Sequence, residues 1–117
     1  THNTANSNNG NGIYLTLSSN NLVYNNFFNR NIIKNAIDDG VNFWNTTKDC
    51  SRPNIIGGPC IGGNFWSDYK GKDKNGDGFG DTMLPHNSSG GIVNGGDYLP
   101  LVGLPSSKAP CPVPAAC

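Results

Sequence analysis

The sequence has little charge and no long hydrophobic run. Eight basic and eight acidic side chains give the 117 residues a formal net charge of zero, and only 14% of the residues are charged. This balance does not favour binding to nucleic acid or to an anionic membrane surface. No stretch approaches the ~18 apolar residues of a transmembrane helix, so no membrane span is predicted. At this length the chain forms one domain or part of one.

Recognisable catalytic patterns are also missing. The sequence contains no Ser-His-Asp, Cys-His or phosphate-binding motif. Asp38 and Asp39 are adjacent, so in a strand they would point to opposite faces, and they suit a turn better than the facing carboxylates of a glycosidase. The prediction is therefore that the protein is not an enzyme. A polysaccharide lyase or hydrolase fragment is the less favoured alternative.

The four cysteines occur without a C-x-x-C pair, which gives no support to zinc or c-type haem. In a small chain they favour disulfides and an extracellular or cell-surface location. The short spacing predicts a Cys50–Cys60 bond, whereas Cys111 and Cys117 could pair locally or link two subunits. Asn45-Thr46-Thr47 and Asn87-Ser88-Ser89 match the N-glycosylation pattern, so Asn45 and Asn87 are predicted acceptors.

Asparagine is the most frequent residue, glycine follows with 16, and short apolar runs alternate with these turn formers. No run has a helical period, so the pattern predicts short strands separated by corners. Asn31-Ile32-Ile33 recurs as Asn54-Ile55-Ile56 after 23 residues, and the same shift relates Ile13 to Ala36, Leu15 to Asp38 and Asn8 to Asn31. A period in the low twenties with asparagine corners, whose side chains can stack in ladders, predicts coils of a parallel β-helix.

Residues 73–81 read D-x-N-x-D-G-x-G-D, in which alternate oxygen ligands can converge on one hard cation. The predicted Ca²⁺ ligands are Asp73, Asn75, Asp77, the backbone carbonyl of Phe79, and Asp81, with Asp68 from the flank. The position of the EF-hand glutamate is occupied by Leu84, so an EF-hand is not predicted. Without a cation, the carboxylates in this short span would repel one another.

The aromatic residues around this loop allow two interpretations. Either they form the hydrophobic cap of the β-helix, which is favoured because other apolar material is scarce, or Trp44, Trp66 and Tyr69 stack on glycans. Three segments are predicted: Asn-rich coils with a disulfide loop over residues 1–61, an aromatic and calcium-loop cap over 62–102, and a Pro-rich, Cys-containing tail over 103–117.

The runs NGIYLTLSSNNLVYNNFFN, NAIDDGVNFWN, IIGGPCIGGNFWSDYKGKDKNGDGFGDT and YLPLV resemble, in order, the end of NosD-like right-handed β-helix repeat domains of archaeal surface and secreted proteins. The resemblance covers roughly residues 8 to 102. It implies an all-β fold: a short right-handed parallel β-helix of two to three coils, a calcium-loop cap and an extended C-terminal tail. The family's copper-binding label has no counterpart in a Met, His and Cys cluster here, and Thr1-His2 is interpreted as a flexible polar end and not as a copper chelate.

The predicted function is that of an extracellular structural protein, a self-assembling subunit of a surface layer or filament that Ca²⁺ and disulfides stabilise. The predicted partner is the protein itself, because a β-helix with few coils leaves an unpaired strand edge. The alternative is a β-helix module that binds cell-surface glycans.

Overall fold

The computed structural model describes residues 1–103 and two short strands, 112–113 and 115–116. The strands are β1 (Thr4–Asn6), β2 (Asn11–Leu15), β3 (Phe27–Asn29), β4 (Lys34–Asp38), β5 (Phe65–Trp66), β6 (Pro112–Val113) and β7 (Ala115–Ala116). The last two form a small antiparallel pair. The fold of the described residues is all-β, as predicted. Nothing in this part of the chain is helical, so it holds no helix that could cross a membrane.

The first two layers of the structure repeat with the predicted period of 23 residues. Strand β1 pairs in parallel with β3, with Thr4 opposite Phe27. Strand β2 pairs in parallel with β4, and the register places Ile13 opposite Ala36. The register derived from the sequence is therefore confirmed for these two layers.

The third layer departs from this period. Strand β5 pairs with β3, and Phe65 lies opposite Phe27, 38 residues later in the chain. The additional residues form the loop that contains the two cysteines, so the predicted stacking of Asn54 on Asn31 is wrong. Asn54 instead organises its own turn, because its Oδ1 accepts the backbone N–H groups of Ile56 and Gly58.

The third layer is assembled from two separate segments. After β5 the chain leaves the stack and returns at Ile92, which pairs in parallel with Asp38. The Tyr98 N–H then donates to the Asn45 side chain of the layer beneath. We call residues 68–90, which lie between these two segments, the excursion.

The core is a cluster of aromatic rings between the layers. Phe28, Trp44, Ala36, Trp66 and Ile92 are buried together. The ring centroids of Trp44 and Trp66 are 5.6 Å apart, and those of Phe28 and Trp66 are 4.9 Å apart. Trp44 is 0% and Trp66 2% exposed, so the alternative that both stack on a glycan is wrong, because neither ring face reaches solvent.

Asparagine side chains link the layers at the corners. The Asn3 backbone N–H and Nδ2 both donate to Oδ1 of Asn26, and the same two groups of Asn26 donate to Oδ1 of Asn64. Asn8 donates to Asn31 in the same way. Each rung satisfies a backbone donor and a side-chain donor with one oxygen, which suits corners where regular strand pairing stops.

Two segments differ from their predicted roles. Ile32 and Ile33, predicted as a strand, are 71% and 60% exposed and form the corner before β4. Thr1-His2, predicted as a flexible polar end, is attached to the second layer, because the His2 N–H donates to the Asn25 carbonyl, and β1 begins two residues later at Thr4. Hydrophobic pattern could not reveal β1, because its pairing uses the backbone and only Ala5 packs against the core.

Candidate metal sites

The acidic loop over residues 73–81 is held in shape by its own side chains. Asp73 accepts the N–H groups of Gly76 and Gly78 through its two oxygens, at 2.8 and 2.9 Å. Asp81 accepts the Lys74 N–H at 2.7 Å. Gly76 and Gly78 have φ values of 76° and 89°, a left-handed conformation that glycine adopts without strain.

This loop brings carboxylates together. One oxygen from each of Asp73, Asp77 and Asp81 lies within 4.8 Å of the others. Phe79 forms an antiparallel bridge with Leu101, and the Gly78 carbonyl accepts the Val102 N–H. Because successive carbonyls of an extended segment alternate in direction, the Phe79 carbonyl points away from the segment of Leu101. Asn75 lies in the same loop, where its Oδ1 accepts the Asp77 N–H. Within the described residues this is the one cluster of three or more acidic, His or Cys ligands, and it offers hard oxygen donors.

A lysine from the preceding loop reaches this cluster. Lys48 Nζ lies 3.3 Å from Oδ2 of Asp77 and 5.4 Å from the centre of the Phe79 ring. One ammonium group neutralises one of the three carboxylates and leaves a net negative site. The arrangement can therefore take a divalent cation, which would share or replace the contact of Lys48 with Asp77.

Asp68, the sixth predicted ligand, is not part of this cluster. Its Oδ1 accepts a hydrogen bond from Nδ2 of Asn35 at 2.8 Å and lies 3.1 Å from Nε2 of His86, and its Oδ2 accepts from Ser89. Asp68 lies two residues after the end of β5, and its contacts are with Asn35 of β4 and with the segment that contains His86 and Ser89, not with the loop. The prediction that Asp68 completes the Ca²⁺ site is therefore wrong.

The environment of Asp68 favours its charged form. Partial burial raises its pKa, but hydrogen bonds from His86 and Asn35 outweigh that effect and lower the pKa to about 2. The carboxylate and the His86 ring line a cleft of about 390 Å³ together with Tyr69, Met83 and four further residues, Lys70, Pro85, Asn87 and Ser89. The hydroxyl of Tyr69 donates to the Thr82 carbonyl, so this predicted glycan-stacking residue serves to hold the excursion.

Two buried aspartates, which the sequence did not single out as anchors, fix the tryptophans. Asp38 accepts from Nε1 of Trp44 at 2.9 Å, and Asp97 accepts from Nε1 of Trp66 at 2.8 Å. Asp97 also accepts the Asn64 N–H and so ends the ladder that begins at Asn3. Burial raises the pKa of Asp97 to about 6, although the hydrogen bonds from Trp66, Asn64 and Leu99 oppose the rise.

Gly63 lies so close to Asp97 that no side chain fits at its position. A Cβ atom at Gly63 would overlap both carboxylate oxygens of Asp97 and the Leu99 carbonyl. The signal in the sequence was the Gly62-Gly63-Asn64 run, but nothing in it identified Asp97 as the group it accommodates.

The cysteines and glycosylation acceptors occupy different settings. Cys50 and Cys60 are joined by a disulfide bond that closes the loop before the third layer. Asn87 is exposed in a turn, whereas Asn45 is half-buried and its Oδ1 accepts the Tyr98 N–H. Cys111 and Cys117 lie outside the described residues, as does most of the predicted tail.

Comparison with known proteins gives one finding. The family model of NosD, described as a periplasmic copper-binding protein, matches residues 1–71, which is more than half of the 117 residues. The match covers β1 to β5 and ends just before the acidic loop. No curated protein and no solved structure matches the chain. On the family model, the chain belongs to the NosD family.

Proposed function

We propose that this protein is an exported structural module that self-associates through its open first layer and that Ca²⁺ and a disulfide stabilise. The stacked parallel strands, the 23-residue period and the family membership support a short right-handed parallel β-helix, since parallel crossovers are right-handed in about 98% of cases. The family's description as periplasmic supports a location outside the cytoplasm. The disulfide supports an oxidising compartment.

One observation carries the self-association proposal: the two ends of the stack differ. At the far end, the backbone N–H of Leu101 donates to the Asn64 carbonyl, and the backbone N–H of Tyr69 donates to the Trp66 carbonyl. The outer side of β5 is therefore covered by its own chain. At the first layer, the backbone N–H of Phe27 donates to the Asn3 carbonyl, and the backbone N–H of Ser7 donates to the Asn29 carbonyl. Residues 3, 5 and 7 therefore face β3, and the backbone groups of Thr4 and Asn6 face the other way, where no described strand lies.

Apolar side chains also line a cavity at the open end of the stack. A cavity of about 350 Å³ there is lined by Ala5, Ile13, Leu22, Val23 and Phe28, together with five polar or glycine positions: Thr1, Asn3, Thr4, Gly12 and Asn26. An unpaired edge over an apolar cavity recruits another chain unless it is blocked. Because the far end is covered, two copies that meet open end to open end are favoured over a head-to-tail filament.

Thr4→Pro is expected to block assembly without unfolding the protein. Proline removes the outward-facing N–H of an edge strand and leaves the pairing of β1 with β3 in place. We expect the apparent dissociation constant for self-association to rise at least about tenfold, since 1.4 kcal/mol corresponds to a factor of ten. Light scattering over a concentration series measures the particle mass, and circular dichroism checks the fold.

Thr4→Val is the matched control, because it keeps the N–H and the strand conformation. It should assemble like the unmodified protein. An unmodified chain that stays monomeric at high concentration would reject self-association, and so would a Thr4→Pro variant that assembles normally.

For the acidic loop, we propose that Asp73, Asn75, Asp77, Asp81 and the Phe79 carbonyl bind Ca²⁺. An ion that binds only the folded state stabilises it, by about 2.7 kcal/mol at a concentration one hundred times the dissociation constant. Adding Ca²⁺ after exhaustive dialysis against a chelator should therefore raise the melting temperature. In Asp77→Asn, which retains an acceptor for the Phe79 N–H, this increment should fall sharply.

The increment between chelator and Ca²⁺ is the measured quantity, because the substitution also removes the contact of Asp77 with Lys48. Asp39→Asn is the control: Asp39 is an exposed carboxylate that accepts from Thr16 and Leu17, far from the loop in sequence. Its Ca²⁺ increment should equal that of the unmodified chain. Identical melting curves with chelator and with Ca²⁺ would show that the loop does not bind Ca²⁺.

Glycan binding is the second candidate, on different residues from those predicted. Phe43 and Tyr98 are 56% and 53% exposed and line a groove of about 250 Å³ with Val41 and Asn94. The groove contains no charged side chain, and exposed ring faces can stack on sugars. A protein that remains monomeric and binds an uncharged polysaccharide would favour this function over the structural one.

A further inference from the structure

Two clefts meet where the excursion packs on the second layer. One has a volume of about 390 Å³ and is lined by Lys70, and the other has a volume of about 250 Å³ and is lined by Arg30 and Lys34. Asp68 and Ser89 line both clefts, so the two form one continuous groove. We call it the basic groove.

The basic side chains of this groove are not neutralised by the protein. In the described part of the chain, the one lysine or arginine that forms a salt bridge is Lys48, which lies outside the groove. Arg30, Lys34 and Lys70 therefore have no anionic partner among the described residues. Because Asp68 is the one carboxylate that lines it, the groove has a net positive charge, although the whole chain is neutral. Such a groove attracts ligands of negative charge.

Asn35 of β4 fixes the polar groups in the middle of the groove. It is 4% exposed, and its Oδ1 accepts hydrogen bonds from the backbone N–H and Nδ2 of Asn31. Its Nδ2 donates to Oγ of Ser67 at 3.1 Å and to Oδ1 of Asp68 at 2.8 Å. All the hydrogen bonds that this amide can form are made within the protein, so it holds Ser67 and Asp68 in place and does not itself bind a ligand.

Ser67 and Asp68 retain hydrogen-bonding capacity for a ligand. Ser67 Oγ accepts the Arg30 N–H in addition to the bond from Asn35, but its own proton is donated to no described acceptor. The Asp68 side chain is 27% exposed, and its Oδ2 accepts one hydrogen bond, from Ser89. A hydroxyl has one donor, and each oxygen of a carboxylate has about two acceptor sites. The groove therefore offers one donor and one acceptor in addition to its cations.

These groups fit a hydroxylated chain that carries separated carboxylates. The planar fork of the Arg30 guanidinium matches a carboxylate in a bidentate arrangement. A sugar hydroxyl can donate to Asp68 and can accept from Ser67. Nucleic acid fits less well, because a duplex carries one charge per about 1.7 Å and would bring phosphates against the Asp68 carboxylate.

We propose that the basic groove binds an acidic polysaccharide, a polymer of sugar acids. Its carboxylates contact Arg30, Lys34 and Lys70, and its hydroxyl groups contact Ser67 and Asp68. This site does not depend on self-association or on Ca²⁺, and it is separate from the uncharged aromatic groove of the second candidate function. The sequence did not predict it, because its residues come from the corner before β4 and from the segment after β5, which only the fold brings together.

The test is isothermal titration calorimetry with a short oligogalacturonate, in buffer without Ca²⁺ so that no ion bridges the ligand to the acidic loop. We expect saturable binding that weakens as salt is added. The methyl ester of the same oligosaccharide keeps the other hydroxyl groups but has no charge, and it should not bind. The double variant Arg30→Gln, Lys34→Gln should weaken binding at least about tenfold. Lys70→Gln, which changes an exposed side chain in the other part of the groove, should weaken it severalfold.

Arg52→Gln is the matched control, because it removes an exposed positive charge from the disulfide loop, outside the groove. It should bind like the unmodified protein. Thr4→Pro should also bind normally, which separates this proposal from self-association. Circular dichroism and melting temperatures verify that each variant is folded.

Three results would overturn the proposal. The first is that the unmodified protein does not bind the oligogalacturonate or binds its methyl ester equally well. The second is that neither the double variant nor Lys70→Gln binds more weakly than the unmodified protein. The third is that single-stranded RNA binds as tightly as the oligogalacturonate, because the groove would then attract any polyanion.

Discussion

Asn64→Ala is expected to lower the free energy of unfolding by at least about 3 kcal/mol, because each buried polar group left without a partner costs roughly 1–3 kcal/mol. Asn64 is fully buried, and its Oδ1 accepts two hydrogen bonds from Asn26. Its Nδ2 donates to the carbonyls of Val23 and Trp44. Alanine would leave three of these groups without a partner at the junction of the second and third layers, namely the Asn26 N–H and the carbonyls of Val23 and Trp44, while Nδ2 of Asn26 keeps its hydrogen bond to the Tyr24 carbonyl.

Asn3→Ala is the matched control, since Asn3 belongs to the same ladder at its exposed end. Its side chain makes one hydrogen bond, to Asn26, and its backbone N–H keeps the same acceptor after substitution. We expect a loss below about 1 kcal/mol, the usual net value of one such bond. Urea denaturation of both variants gives the comparison. Losses of similar size would mean that the ladder contributes evenly along its length and that Asn64 is not its centre.

The sequence predicted the first two layers because their information is local and repeated. Asn8 and Asn31 make the same corner contact, and Ile13 and Ala36 share one register, so a constant shift relates them. The third layer could not be predicted in this way, because residues 62–67 and 91–98 build it jointly. A period cannot be read where a disulfide loop and the excursion interrupt it.

The metal ligands show the same limit. Spacing alone was sufficient to group Asp73, Asp77 and Asp81, since they lie in one short loop. Spacing placed Asp68 there as well, but the contacts of Asp68 with Asn35 and His86 depend on how the excursion folds back over β4. The burial of Trp44 and Trp66 agrees with the favoured interpretation that these rings supply hydrophobic mass, but the sequence did not identify Asp38 and Asp97 as the acceptors of their indole N–H groups.

The second large effect concerns pH and Asp97. Its pKa is about 6 in the folded protein against an ordinary value of 3.8, because burial disfavours its charge. Between these values the folded state binds more protons than the unfolded state, so the stability due to this group increases as the pH falls from 6 toward 4. A pKa difference of this size corresponds to roughly 3 kcal/mol. Asp68, with a pKa lowered to about 2, acts in the opposite sense and mainly below pH 4.

Asp97→Asn isolates the contribution of Asp97, because an amide cannot titrate. Urea denaturation at pH 4 to 7 with chelator present gives the difference in unfolding free energy between the unmodified chain and the variant. This difference should shift in favour of the unmodified chain by up to about 3 kcal/mol as the pH falls across this range. A difference that does not depend on pH would mean that Asp97 is not the titrating group.

Trp66→Phe tests the cause of the raised pKa, because it removes a hydrogen bond that favours the charged form of Asp97. The pKa of Asp97 should then rise further, and the pH at which its contribution begins to decline should move upward. If the pH midpoint of the Asp97 contribution does not change, the charged form of Asp97 is stabilised mainly by the N–H groups of Asn64 and Leu99, which also donate to this carboxylate. Because Asp97 ends the asparagine ladder and holds Trp66 against His86, its proton would then be coupled to the packing of the third layer and the excursion.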